Sequence, residues 1–111
     1  MNELVQHLST GDHPVTVGGP QPSLQELQKR IGEMGYVFIK FTDTRGGTDL
    51  GVRLDQAATN LDEADFDQGT GSVHLEGTLT LNYVKIRCIA DIDLATLNGI
   101  GHLVILEEVR S

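Results

Sequence analysis

The chain has 111 residues, 16 acidic and 8 basic side chains, a formal net charge of -8 and 39% apolar residues. That length and apolar share suit a single domain, residues 1–111, able to bury a core without metal or disulfide staples. The acidic balance argues against nucleic acid and anionic membranes as ligands, because gripping phosphates requires a basic stripe.

The opening MNELVQHLST has neither a basic region nor an apolar run, so no export signal is expected. Residues 1–12 read as a short helical turn or a frayed segment. His13 to Val17 alternates weakly and runs into Gly18-Gly19-Pro20-Gln21-Pro22, which predicts a short edge strand and a stiff loop. Ser23 then starts the clearest helix, at about 23–34. Its hydroxyl can accept from the Glu26 N–H while Glu26 reaches back, a capping box. Leu24, Leu27, Ile31 and Met34 recur at spacings of three and four on one face, and Gly35 supplies a left-handed stop.

Tyr36 to Thr42 is rich in aromatic and β-branched residues. After the turn around Thr44-Arg45-Gly46-Gly47-Thr48, Leu50, Val52 and Leu54 alternate with Gly51, Arg53 and Asp55, which predicts a hairpin. Gln56 to Gly71 reads as an acidic loop with at most one helical turn, pinned by Phe66. Val73, Leu75, Leu79 and Leu81 mark a third strand, with Gly77 as a bend or bulge. Around Asn82-Tyr83 the apolar parity changes and passes to Val84, Ile86, Cys88, Ala90, Ile92 and Leu94, so a turn or bulge is required there. Another turn covers Thr96 to Gly101, and His102 to Val109 forms the last strand.

The expected fold is therefore α+β: one main helix on a mostly antiparallel sheet of five to six strands, free to curve. Two strands are apolar on both faces. Tyr36 and Phe38 oppose Val37, Ile39 and Phe41, and Leu103 and Ile105 oppose Val104 and Leu106. A single helix cannot cover both faces. Curling of the sheet, the N-terminal segment, a partner, a second copy in a homodimer, or a ligand would supply the remaining cover.

No catalytic, cofactor-binding or metal-binding motif emerges. Asp65, Asp67 and Glu76 match three ligand positions of a calcium loop, but Gly69 stands at another ligand position and Thr70 where the turn glycine belongs. The glycine pairs lack the strand-to-helix context of a phosphate loop, and no Gly-x-Ser-x-Gly elbow occurs. Cys88, the single cysteine, has the parity of a buried strand residue and points to a reducing, cytoplasmic setting. The longest apolar runs, such as Leu103 to Leu106, fall far short of the roughly 18 to 20 residues of a membrane helix.

Polar constellations remain. His74 and Glu76 share a strand face, Asp91 and Asp93 share another, and Lys85 and Arg87 lie beside those aspartates. His74, Glu76, Asp91 and Asp93 are therefore the candidate polar site, against the simpler reading of a solvated, salt-bridged face. Arg45 at a hairpin tip and the loop acids Asp62, Glu63, Asp65 and Asp67 are candidate partner contacts. The functional expectation is a non-catalytic cytoplasmic accessory protein that binds another protein or a copy of itself through an acidic surface and an apolar sheet face. The alternative is a small-molecule-binding or acid-base domain, with a pocket between helix and sheet lined by Tyr36, Phe38 or their neighbours.

Overall fold

A computed structural model describes residues 3–19, 22–81 and 83–108. Helix α1 (Glu3–Leu8) precedes β1 (His13–Val17). Helix α2 (Leu24–Lys29) continues through a π-helical turn, Arg30–Met34. The strands β2 (Tyr36–Phe41), β3 (Thr48–Leu54), β4 (Ala64–Asp65), β5 (Thr70–Leu81), β6 (Val84–Asp93) and β7 (Asn98–Glu108) follow.

The expected α+β arrangement is overturned. The strand order is β3-β2-β1-β7-β6-β5-β4 with an added β3–β5 pairing, so six antiparallel strands close into a barrel and β4 hangs on β5. The protein is mostly β. Closure occurs where Arg53 and Leu54 of β3 face Thr78 and Gly77 of β5. A Cβ on Gly77 would lie 2.2 Å from the Arg53 carbonyl oxygen and 2.6 Å from Val52 Cγ1. Glycine at this point is what lets the two backbones meet. The expected bend at Gly77 is thus the seam of the barrel. β1 is likewise not an edge strand, because it lies between β2 and β7.

Closure also answers which side of each doubly apolar strand is inside. Val37, Ile39 and Phe41 of β2 are buried with Val15, Val17, Leu50, Val52, Val73, Leu75, Ile86, Cys88, Ala90, Ile92 and Leu103 in one core. Burial pushes the Cys88 thiol up to about 12, so it is an interior hydrophobe and not a nucleophile at neutral pH. Leu27 and Ile31 of the helical segment and Val5 and Leu8 of α1 join the same core.

Local signals explain most elements. Ser23 caps α2, its Oγ accepting from the Glu26 N–H at 3.1 Å, and Gly35 terminates the segment at φ 62°. The Glu26 carboxylate pairs with Arg30, 3.2 Å from Nε, where the capping box had it reaching back to Ser23. Met34 is 54% exposed, although its spacing assigned it to the apolar face. The π turn accounts for this, since each residue it adds rotates later positions away from the stripe. Leu81 pairs with Val84 across the tight turn that the parity change required; Asn82 lies outside the described residues, and Tyr83 has φ 68°. Pro20 and Gln21 of the predicted loop, and Val109 of the predicted last strand, also lie outside them.

Among the described residues, His13 is the buried polar side chain of the core region, and both its ring nitrogens are bonded. Its Nε2 is 2.9 Å from the Thr10 carbonyl oxygen and its Nδ1 2.7 Å from Asp43 Oδ2. Such pairing is the usual condition for burying an imidazole.

Candidate protein-binding surface

The outer faces of β5, β6 and β7 form one continuous surface. Alternation in β5 and β6 sends Val73, Leu75, Ile86, Cys88, Ala90 and Ile92 inward, and so turns His74, Glu76, Arg87, Ile89 and Asp91 outward. Register sets the rows. His74 faces Asp91, which faces Ile100; Glu76 faces Ile89, which faces His102; Thr78 faces Arg87, which faces Val104.

One half of this surface is charged. His74 sits between two carboxylates, with Nε2 2.5 Å from Glu76 Oε2 and Nδ1 2.8 Å from Asp91 Oδ1. Arg87 reaches Glu76 Oε1 through Nε at 3.0 Å and Asp55 Oδ2 through Nη2 at 3.0 Å. The carboxylates of Glu76 and then Asp91 raise the His74 pKa above the usual histidine value. His74, followed by Arg87, holds Glu76 below the usual carboxylate range, and Arg87 does the same for Asp55. Both ring nitrogens of His74 are engaged by carboxylates, so neither is directed at open solvent. Its two partners sit at opposite ring edges, so these donors do not converge on one metal position.

The other half is open and mainly apolar, with His102 set between Ile100 and Val104. Ile100, Val104 and Leu106 of β7 are 51%, 38% and 49% exposed. A register shift between Lys85 and Ile86 marks a bulge, opposite which Leu106 is displayed beside Glu107. Large side chains grouped on a sheet face and left open to water are the mark of an association site.

Three of the four polar candidates, His74, Glu76 and Asp91, are brought together, the first two by parity along β5 and Asp91 by the β5–β6 register. Asp93 is separate: its Oδ1 accepts from the Ala95 N–H at 2.8 Å and shapes the turn. Asp55 was missed, since it lies beyond β3 and reaches the network only because the barrel closes. Arg87 was placed on the right face, but its role as the bridge depends on the β5–β6 register. Arg45 is exposed in the connection between β2 and β3, and Asp62, Glu63, Asp65 and Asp67 lie in the segment around β4. Within that segment Asp65 Oδ1 accepts from the Gln68 N–H, and Phe66 packs against the core as expected.

A closed antiparallel barrel whose outer face joins a satisfied charge network to an open apolar stripe has a surface of the kind that protein-binding domains use. The model of the core binding factor beta subunit family matches residues 23–111, and the chain belongs to that family. Members are non-enzymatic partner subunits of transcription factors that act by protein–protein binding, and the chain is a protein-binding subunit of this kind. No curated protein matches it.

Proposed function

We propose that this chain is the non-catalytic half of a heterodimer and grips its partner with the outer face of β5, β6 and β7. The partners of its family are Runt-domain factors, and a transcription factor of that type is the partner proposed here. The observation that carries this reading is the stripe Ile100, Val104 and Leu106, open to water beside a charge network that is already internally satisfied. Apolar side chains would supply the anchor, and the charged rim would set orientation and on-rate. A net charge of -8 complements the basic surface by which a DNA-binding domain holds phosphate. The acidic surface thus selects the partner class, with Asp62, Glu63, Asp65 and Asp67 as long-range attractors. A buried, unpaired cysteine is in keeping with a reducing compartment such as the cytoplasm.

The test is a calorimetric titration of a Runt-domain polypeptide into wild type and Val104→Asp. The expected loss is roughly 30-fold or more in affinity, as for a central anchor, with the melting temperature nearly unchanged. Equal affinity of the two proteins would refute the assignment. Should Val104→Asp instead dissolve a concentration-dependent homodimer while leaving the Runt-domain affinity intact, the stripe would belong to self-pairing.

A further inference from the structure

A second constellation lies away from this surface, where α1, the start of β1 and the end of β2 meet. Val5 and Leu8 are fully buried, which anchors α1 and leaves His7, between them in sequence, exposed beside Asp43. His7 Nε2 is 3.6 Å from Asp43 Oδ2, and His13 Nδ1 is 2.7 Å from the same oxygen. The two imidazole centroids are 4.6 Å apart. One donor atom from each of His7, His13 and Asp43 lies within 4.8 Å of the others.

We propose that His7, His13 and Asp43 bind a divalent transition-metal ion of the zinc class, which ties α1 to the barrel. Zinc holds nitrogen and oxygen ligands at about 2.0–2.2 Å, so tetrahedral donors sit about 3.4 Å apart. The Asp43–His13 pair must open by less than about 1 Å to accept the ion, and His7 is already near that spacing from Asp43. The two imidazole donors, within 4.8 Å of each other, close the rest through rotation of exposed His7. His13 also has the second-shell partner that a ligand histidine requires. Its Nε2–H donates to the Thr10 carbonyl, which fixes the ring and aims Nδ1 at the cluster. Two imidazoles select zinc-class ions over calcium and magnesium, which prefer all-oxygen sites. Exposure of His7 and Asp43 leaves the fourth position to water. Two of the three ligands, His7 and His13, precede residue 23, where the family match begins, while Asp43 lies within it.

Titration of the full chain with zinc sulfate, followed by calorimetry and by histidine imidazole NMR, tests this. Saturable 1:1 binding is expected, with the His7 and His13 resonances moving, those of His74 and His102 unmoved, and a higher melting temperature at saturating zinc. His7→Ala, a change at an exposed position, should keep the metal-free melting temperature and weaken zinc binding by at least about tenfold. No saturation at micromolar zinc, equal binding by His7→Ala, or zinc-dependent shifts centred on His74 would each overturn the proposal.

Discussion

Strands β2 and β7 are both apolar on both faces, yet the fold treats their outer faces differently. On β2, Phe38 lies under the guanidinium of Arg30, 4.9 Å from its ring centroid, and edge-on to Tyr36 at 5.5 Å. Gly19 runs so close that a Cβ there would be 3.0 Å from Phe38 Cδ2, and its N–H is held by Asp49 Oδ2 at 2.9 Å. The helical segment and the loop before it therefore roof this strand. On β7, Ile100, Val104 and Leu106 remain open. Alternation thus identifies which strands carry a second apolar face, but what the rest of the chain reaches decides whether that face is core or interface. The roofed strand contributes to stability, whereas the open one is available for binding.

The largest effect is expected at the seam that gives both strands their shared interior. Gly77→Val drives a side chain into the Arg53 backbone and should destabilise the protein by about 3 kcal/mol or more, measured by urea unfolding. If the barrel tolerated it without loss, β3 and β5 would not be in contact. Next come paired truncations of the two outer faces. Phe38→Ala should cost about 2 kcal/mol, less than a fully buried phenylalanine, while Val104→Ala should stay within about 0.5 kcal/mol. Equal costs would erase the distinction between roof and open face.

The smallest effect is the pH dependence of the charge network. A raised His74 pKa means that the folded state holds this proton more tightly than the unfolded chain does. Its stabilisation is complete below the unfolded value, about 6.5, and is lost as pH rises through the folded value. Glu76, shifted down, contributes above its unfolded value of about 4.3 and loses that contribution as pH falls through its folded value. Wild type should therefore exceed His74→Gln in stability at pH 6 and lose that margin progressively as pH rises above it. A margin that grew with pH would mean His74 is neutral in its network. Comparison with His74→Gln also separates this effect from His13, whose pKa Asp43 raises in the same way.

What could be read from the chain was whatever depends on neighbours along it. The Ser23 cap, the Gly35 stop, the β2–β3 hairpin and the parity of β5 and β6 are local properties; parity puts His74 and Glu76 on one side of β5, and the β5–β6 register adds Asp91. Barrel closure could not be read, because it depends on Gly77 meeting the Arg53 backbone across the acidic segment between β3 and β5. Reading an open sheet left one face uncovered and made a homodimer one candidate cover. The closed barrel buries one face of its strands itself, and the helical segment with Gly19 covers Phe38 outside β2, which leaves the outside of β7 open. Asp55 in the network and the His13–Asp43 pair escaped because each joins residues about 30 positions apart, Asp55 through the closing β3–β5 pairing and His13 through the β1–β2 pairing. Met34 was misplaced because a strict 3.6-residue period does not anticipate a π turn.

The central claim is that the open face of β7 is the partner-binding surface. Methyl NMR of the wild-type chain, with and without a Runt-domain polypeptide, addresses it directly. The methyl signals of Ile100, Val104 and Leu106 should shift or broaden on complex formation, while those of Leu27 and Ile31 in the helical segment stay in place. Perturbations confined to exposed Met34 or Leu61, with the β7 methyls unmoved, would contradict the account.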